Sequence, residues 1–263
     1  MGLPKVASTF LQQEIFPNLT NLRFHRKRRF MDYKELFGKQ LTQSHLFSFE
    51  RDRDLESMTE EIVSQFPDAK FIILVRRQDK WILSRYKYYI RKHGWKRFDA
   101  FFNLESNQGE WKKEELFFQK KIETVEKLAN TKPLVLTHDL LKTNPDEFYR
   151  RICAYTNSKL NGNERKNAII NKAFSEKQLI VLRKFNTAYR YHKATTSFRF
   201  INRIHYKYRE FLLHIVAFLS PFIPGLFIRE KTFLKNAGQL ENIRYFYKDD
   251  WDFCKAYAEK NKP

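Results

Sequence analysis

Apolar residues follow two different patterns along the first two thirds of the chain. Continuous apolar runs at residues 71–75 and 134–136 are typical of strands that are buried on both faces, as in a parallel sheet. A third run, residues 45–49, predicts another strand, which leads into Glu50. Elsewhere apolar side chains recur every three or four residues, which predicts helices at 54–66, 79–93, 111–129 and 145–156, and a loop followed by a helix in 1–17. The alternation βαβαβα predicts an α/β domain.

The last third of the chain shows helical patterns only. We therefore expect an α/β core over residues 1–175 and a helical C-terminal extension over 176–263 that packs on it. Its most apolar run, 211–228, contains two prolines that would break a helix in its second half. The run is interpreted either as a buried helix that ends at Pro221 or as a peripheral membrane contact, because basic residues flank it: Lys207, Arg209, Arg229 and Lys231.

Composition narrows the class of partner. The chain of 263 residues has 50 Lys and Arg against 30 Asp and Glu, a net charge of +20, which favours phosphate groups, nucleic acid, acidic glycans or an anionic membrane. Hydrophobic residues make up 42%, which excludes a disordered chain. The two cysteines lie outside any metal-ligand spacing, and the first residues lack the pattern of a signal peptide. These features predict a cytoplasmic protein, free or peripheral on a membrane, with no disulfide framework and no metal.

Two segments carry residues suited to anions. The loop 2–9 runs into a helix and offers Lys5 together with two hydroxyl side chains, and a helix N-terminus favours phosphate. Arg76 follows the 71–75 strand, and Ser84 comes eight residues later on the next helix. Ligands of open α/β sheets bind beyond the carboxyl ends of the strands, where both segments are predicted to lie. Each segment alone is also compatible with ordinary surface residues, and the loop does not have the glycine and lysine spacing of a Walker A motif.

Together the two segments resemble the sulfotransferases that use 3′-phosphoadenosine 5′-phosphosulfate (PAPS). LPKVASTFLQ is similar to their loop for the 5′-phosphosulfate, and LVRRQDKWILSRYKYY to their 3′-phosphate segment, which has an arginine and a serine eight apart. LVLTHDLLKTNPDEFYRRICAY resembles a later strand–helix segment, and residues 173–183 resemble the helix start of bacterial, glycan-type members. The resemblance covers roughly residues 2–190.

The resemblance implies a fold and a donor. The fold is a P-loop-like, three-layer α/β sandwich with a central parallel sheet, whose first strand we expect to be truncated because Met1 directly precedes the loop. Val6 departs from the family pattern, and a positive φ at this β-branched residue would be strained. The nucleotide would be PAPS, used as a co-substrate without a metal.

The resemblance also implies roles for particular residues. Lys5 would contact the bridging oxygen of the phosphosulfate and stabilise the leaving phosphate. Arg76 and Ser84 would hold the 3′-phosphate. The residues that would hold the 5′-phosphate are Ala7, Ser8, Thr9 and Phe10.

The base that activates the acceptor hydroxyl is predicted to be Glu50, at a strand end where the family uses a His or a Glu. Glu50 could equally be an ordinary charge at the end of a strand. His45 and His25 are alternative bases, and Asp32 and Glu35 are weaker candidates.

The function expected from these features is sulfuryl transfer to a hydroxyl group of a carbohydrate or glycolipid. A carbohydrate fits because the C-terminal Arg-x-Gly-x-x-Gly of the enzymes that act on small molecules is absent. The alternative is a basic nucleic-acid-binding protein without catalytic activity, although no nucleic-acid module is recognised. A nucleotide kinase is favoured least, because no magnesium carboxylate is evident.

Overall fold

The computed structural model describes residues 5–25, 34–50, 53–162, 174–189, 199–224, 232–234 and 238–263. The strands are β1 Leu22–His25, β2 Ser44–Phe47, β3 Ile72–Val75 and β4 Leu134–Thr137. The helices are α1 Ser8–Phe10, α2 Leu55–Gln65, α3 Gln78–Arg91, α4 Phe98–Phe101, α5 Phe118–Leu128, α6 His138–Thr143, α7 Pro145–Thr156, α8 Glu176–Ala188, α9 Arg199–Leu219, α10 Gly238–Phe246 and α11 Lys248–Lys260. Helix α1 continues as a π-helical turn Leu11–Ile15 and a 3₁₀ turn Phe16–Asn18, and further 3₁₀ turns lie at Lys34–Leu36, Lys113–Leu116 and Ser220–Phe222.

Most predicted elements are confirmed. Strands β2, β3 and β4 and helices α2, α3 and α7 lie where the hydrophobic pattern puts them, within a few residues at each end. The helix predicted at 111–129 is wrong in its first part, where a 3₁₀ turn precedes α5. Among the described residues beyond 175, all regular elements are helical, as expected.

The strands form two parallel pairs. β1 pairs with β2 and β3 with β4, and in the second pair Val75 lies opposite Thr137. The parallel pairing agrees with the predicted α/β class, whereas the described residues form two separate two-stranded sheets and not one central sheet. β2 and β3 both line a cavity of about 910 Å³, and in the described chain each of these strands pairs on one side only.

β1 was not predicted. Its residues, Leu22–His25, lie in a polar and basic stretch, and its exposed Arg23 conceals the alternation of side chains. The strand forms because β2 supplies its hydrogen-bonding partner, and β-propensity depends strongly on such context.

The chain divides into two compact units. Unit 1 comprises Met1–Trp81, Glu114–Asn171 and Ile243–Pro263. Its core is the β3–β4 pair, buried along its whole length, with Trp81 packed edge-on against Phe118. Unit 2 comprises Ile82–Lys113 and Lys172–Asn242. In unit 2 the buried Tyr86 ring packs among aromatic side chains, and the buried Arg183 donates a hydrogen bond to its hydroxyl at 2.7 Å.

Helix α9 in unit 2 differs in part from the buried helix predicted in 211–228. It ends at Leu219, before Pro221, as expected, and residues 225–228 lie outside the described residues. It is not a fully buried helix, however, because Phe211 and Phe218 on one face are exposed. Arg209 is not a flanking surface charge: it is buried, with its guanidinium over the rings of Phe185 and Tyr189. In the described part of the chain, no helix is long and apolar enough to cross a membrane.

Candidate functional site

The predicted phosphate loop enters α1 through two residues with left-handed backbone. Lys5 has φ 71° and Ala7 has φ 68°, whereas the strain expected at Val6 does not arise, because Val6 has no positive φ and its side chain is buried. Left-handed conformation costs a residue other than glycine roughly 1–2 kcal/mol. Such strain concentrates where backbone geometry serves a function, and alternating left- and right-handed residues point successive N–H groups into one concavity. Residues 2–4 lie outside the described residues.

The segment after β2 brings Glu50 to this loop. The Ser8 hydroxyl donates a hydrogen bond to the Glu50 carboxylate. One turn later, the Gln12 amide donates to the Ser48 hydroxyl at 2.9 Å. The predicted base and a predicted phosphate ligand are therefore in direct contact at the start of α1.

Arg76 reaches the same loop from the end of β3. Its guanidinium donates a hydrogen bond to the Lys5 carbonyl oxygen at 3.2 Å. Burial lowers the pKa of Arg76, although Asp139 and Asp79 oppose the shift. Its Nε is buried and makes no hydrogen bond to the described residues. An unpaired buried donor of this kind costs free energy, which an anion would recover.

His138 is a residue that the sequence analysis did not single out. It directly follows β4, and the register of β3 and β4 places residues 76 and 138 at the same sheet edge. Its Nδ1 is buried and has no hydrogen-bond partner in the described structure. Burial, followed by the charge of Arg76, lowers its pKa to about 4, so the ring is neutral near pH 7. Its place directly after a buried strand is the signal that could have revealed it.

The sheet edge also carries paired charges. Arg77 forms a two-pronged ion pair with Asp79, with a shortest contact of 2.7 Å. Lys80 contacts the Asp139 carboxylate at 3.3 Å. Of the two consecutive arginines, Arg77 is therefore committed to a carboxylate, while Arg76 faces the loop.

The remaining predicted residues are placed as follows. Thr9 and Phe10 lie half-buried in α1, and Ser84 lies half-buried on α3, two turns after the strand end. His25 Nε2 and His45 Nδ1 lie 2.8 Å apart, so the two alternative bases pair with each other across β1 and β2. Burial lowers the pKa of His45. Glu35 is exposed, and Asp32 lies outside the described residues.

The groups at this edge are of the types that bind anions. Lys5 and Arg76 supply positive charge, the loop supplies backbone donors, and Ser8 supplies a hydroxyl. Within the ranges that the structure describes, no three His, Cys, Asp or Glu side chains are grouped to hold a metal ion.

Comparisons with known proteins give one match. The model of the sulfotransferase domain family matches residues 52–139, a segment that runs from the start of α2 through β3, α3 and β4 to the first turn of α6. No curated protein and no solved structure matches the chain. Arg76, Ser84 and His138 lie inside the matched segment, whereas Lys5 and Glu50 precede it. Over this third of its length the chain is similar to the sulfotransferase domain family, whose general activity is sulfuryl transfer.

Proposed function

We propose that the protein transfers a sulfuryl group from PAPS to a hydroxyl group of a carbohydrate or glycolipid. The observation that carries the proposal is the hydrogen bond from Arg76 to the Lys5 carbonyl, because it brings two cationic segments, far apart in sequence, to one sheet edge. A nucleotide with phosphates on both its 5′ and 3′ positions requires two such cationic sites within the length of one nucleoside. The match to the sulfotransferase domain supports the same reaction class.

Each residue has a part in the proposed binding of the donor. Lys5, with the N–H groups of the first turn of α1, holds the phosphosulfate end. Arg76 holds the 3′-phosphate through its unpaired Nε and its charge. The assignment of Ser84 to the 3′-phosphate rests on the sequence spacing.

The proposed transfer is an in-line displacement at sulfur. The acceptor oxygen forms a bond to sulfur, the bond from sulfur to the bridging phosphate oxygen breaks, and 3′,5′-adenosine bisphosphate leaves. Glu50 accepts the hydroxyl proton, and Lys5 stabilises the negative charge on the leaving phosphate. Before the donor binds, the Ser8 hydroxyl donates a hydrogen bond to the Glu50 carboxylate. A phosphate bound at Ser8 competes for that hydrogen bond, so donor binding frees the carboxylate to act as the base.

Within unit 2, one cavity has the chemistry of a sugar-binding site. It has a volume of about 1090 Å³, and its lining includes one exposed indole, two amides, four cationic side chains and one carboxylate: Trp95, Asn103, Gln108, Lys96, Arg97, Arg183, Lys184 and Asp99. Lys96 is neutralised by Glu110, at 2.5 Å, which leaves an excess of positive charge. Amide and cationic donors around an aromatic ring suit an anionic saccharide.

A thermal shift tests the donor. We expect 1 mM 3′,5′-adenosine bisphosphate to raise the melting temperature by several degrees, since a ligand at about 100 times its Kd stabilises the folded state by about 2.7 kcal/mol. The same concentration of 5′-AMP, which keeps the 5′-phosphate but lacks the 3′-phosphate, should raise it much less. Equal shifts with both nucleotides would contradict the assignment of Arg76.

Substitution of Lys5 tests the chemistry. We expect Lys5→Ala to slow the conversion of PAPS to the bisphosphate, in the presence of desulfated polysaccharides, by roughly a hundredfold or more. The circular dichroism spectrum should not change, because the side chain belongs to a loop. Undiminished turnover would refute the role of Lys5.

The thermal shift also helps to test the alternative function, nucleic-acid binding, which the net charge of +20 allows. Affinity for DNA or RNA that falls steeply with salt, in a protein that ignores adenosine bisphosphate, would favour the nucleic-acid-binding function.

A further inference from the structure

Helix α9 carries a continuous apolar stripe on its outer face. Four phenylalanines stand out of the surface along the helix and the 3₁₀ turn that follows it: Phe200, Phe211, Phe218 and Phe222 are 73%, 61%, 71% and 75% exposed. Exposed apolar side chains fill the positions between them, at Ile201, Ile204, Tyr208, Ile215 and Leu219. Most of these residues are three or four positions apart, so they lie on one side of the helix. Soluble proteins rarely expose a stripe of this length, which marks it as an interaction surface.

The opposite face of α9 is fixed within unit 2. Leu213 and Ala217 are buried, and the Gln178 amide on α8 donates to the Ala217 carbonyl at 3.0 Å. Lys177 donates to the Pro221 carbonyl at 2.7 Å, just beyond the end of the helix. These contacts set the rotation of the helix, so the stripe faces away from α8.

The charges around the stripe are positive. At 100° per residue, Arg203 and Lys207 border the stripe on one side, and both are exposed. Glu210 is the only acidic residue in α9, and it is paired with Lys92 at 2.9 Å. The stripe therefore combines an aromatic, apolar centre with a cationic margin. This combination is complementary to an anionic surface with an apolar interior.

We propose that α9 lies in the plane of an anionic lipid bilayer, with its phenylalanine stripe inserted among the acyl chains and Arg203 and Lys207 at the phosphate headgroups. A second copy of the chain, paired in parallel along the stripe, would bring Arg203 and Lys207 of the two helices together, and like charges across an interface are unfavourable. The proposal rests on α9 alone and does not depend on the donor site.

Co-sedimentation with vesicles tests the proposal. The full chain is expected to pellet with vesicles of phosphatidylcholine and phosphatidylserine at a ratio of 7:3 and to stay in the supernatant with phosphatidylcholine alone. Phe218→Ser should reduce the partition by about tenfold, since it removes one large apolar side chain from among the acyl chains. Tyr245→Ser is the matched control, because Tyr245 is an exposed aromatic residue of α10 in unit 1. This variant should leave the partition unchanged.

A variant that removes the two charges and a measurement of the oligomeric state complete the test. Arg203→Gln with Lys207→Gln should lower binding to the anionic vesicles by roughly tenfold at 0.1 M salt. Circular dichroism and the thermal shift with adenosine bisphosphate verify that each variant is folded, so a failed donor site and a failed membrane site give different results. Failure of the wild-type chain to pellet would overturn the proposal. So would a dimer, found by light scattering without lipid, that Phe218→Ser dissociates, because a second copy would then cover the stripe.

Discussion

At the scale of single residues, two neighbouring arginines have different partners, although both directly follow the buried strand β3. Arg77 is held by the Asp79 carboxylate, while Arg76 donates to the Lys5 carbonyl and keeps a buried, unpaired Nε. The structure thus distinguishes a charge that is already neutralised from one that is available to an anion. The difference gives a matched pair of variants.

We expect Arg76→Ala to weaken the binding of 3′,5′-adenosine bisphosphate by at least about tenfold, because a hydrogen bond to a charged group contributes roughly 1.5–3 kcal/mol. Arg77→Ala removes the same charge one residue away and should change the affinity much less. Isothermal titration calorimetry measures both. Equal losses in the two variants would show that only the overall charge matters.

His138 makes stability depend on pH. Its pKa is lowered from 6.5 to about 4 by burial, with Arg76, Lys142 and Lys80 adding to the shift and Asp139 opposing it. Between these values the unfolded chain binds a proton that the folded chain does not, so the free energy of unfolding falls as the pH drops from 6.5 towards 4. His138→Gln should reduce this slope in urea titrations between pH 6.5 and 5. The exposed His214→Gln should leave it as in the wild type, and an unchanged slope in both variants would contradict the burial of His138.

At the scale of elements, a residue more than 130 positions away caps the N-terminus of α5. The N-cap residue is Phe117, whose aromatic side chain makes no capping hydrogen bond. The buried Asp250 carboxylate on α11 accepts from the backbone N–H groups of Phe118 at 3.0 Å and Gln119 at 2.9 Å. Gln78 donates to the same carboxylate. This cap explains why α5 begins at Phe118 and not at the start of the predicted helix.

We expect Asp250→Ala to lower the free energy of unfolding by about 2 to 4 kcal/mol, since it removes a cap and leaves buried donors unpaired. Asp252→Ala, an exposed position on the same helix, should change it by less than about 0.5 kcal/mol. Urea denaturation compares the two. A small effect of Asp250→Ala would mean that water replaces the carboxylate at the start of α5.

At the scale of the whole molecule, the net charge of +20 opposes the compact state through self-repulsion. Salt screens this repulsion, because the Debye length falls from about 14 Å at 0.05 M to about 4 Å at 0.5 M. We therefore expect the melting temperature to rise by a few degrees over that range.

Replacing the exposed Lys39, Lys120 and Lys127 by glutamine should raise the melting temperature at low salt and shrink the salt effect. Differential scanning calorimetry measures both quantities. A melting temperature that falls with salt would indicate that attractive ion pairs outweigh the repulsion.

The sequence by itself determined the elements whose signal is local. The runs of β3 and β4 are recognisable because strands buried on both faces need apolar side chains at every position. Helix α7 begins at Pro145 and ends at Thr156, as predicted, because its proline, its cap and its apolar stripe all lie within the segment. Arg76 was singled out as a candidate in the same way, since it directly follows a buried strand.

Tertiary structure decided whatever depends on partners distant in the chain. β1 forms through pairing with β2, α5 begins where Asp250 caps it, and the unpaired Nδ1 of His138 results from burial beside Arg76. The exposed face of α9 looks in sequence like any apolar helix face, because periodicity shows which residues share a side but not which side is covered. Burial and pairing are properties of the folded chain, and no local pattern contains them.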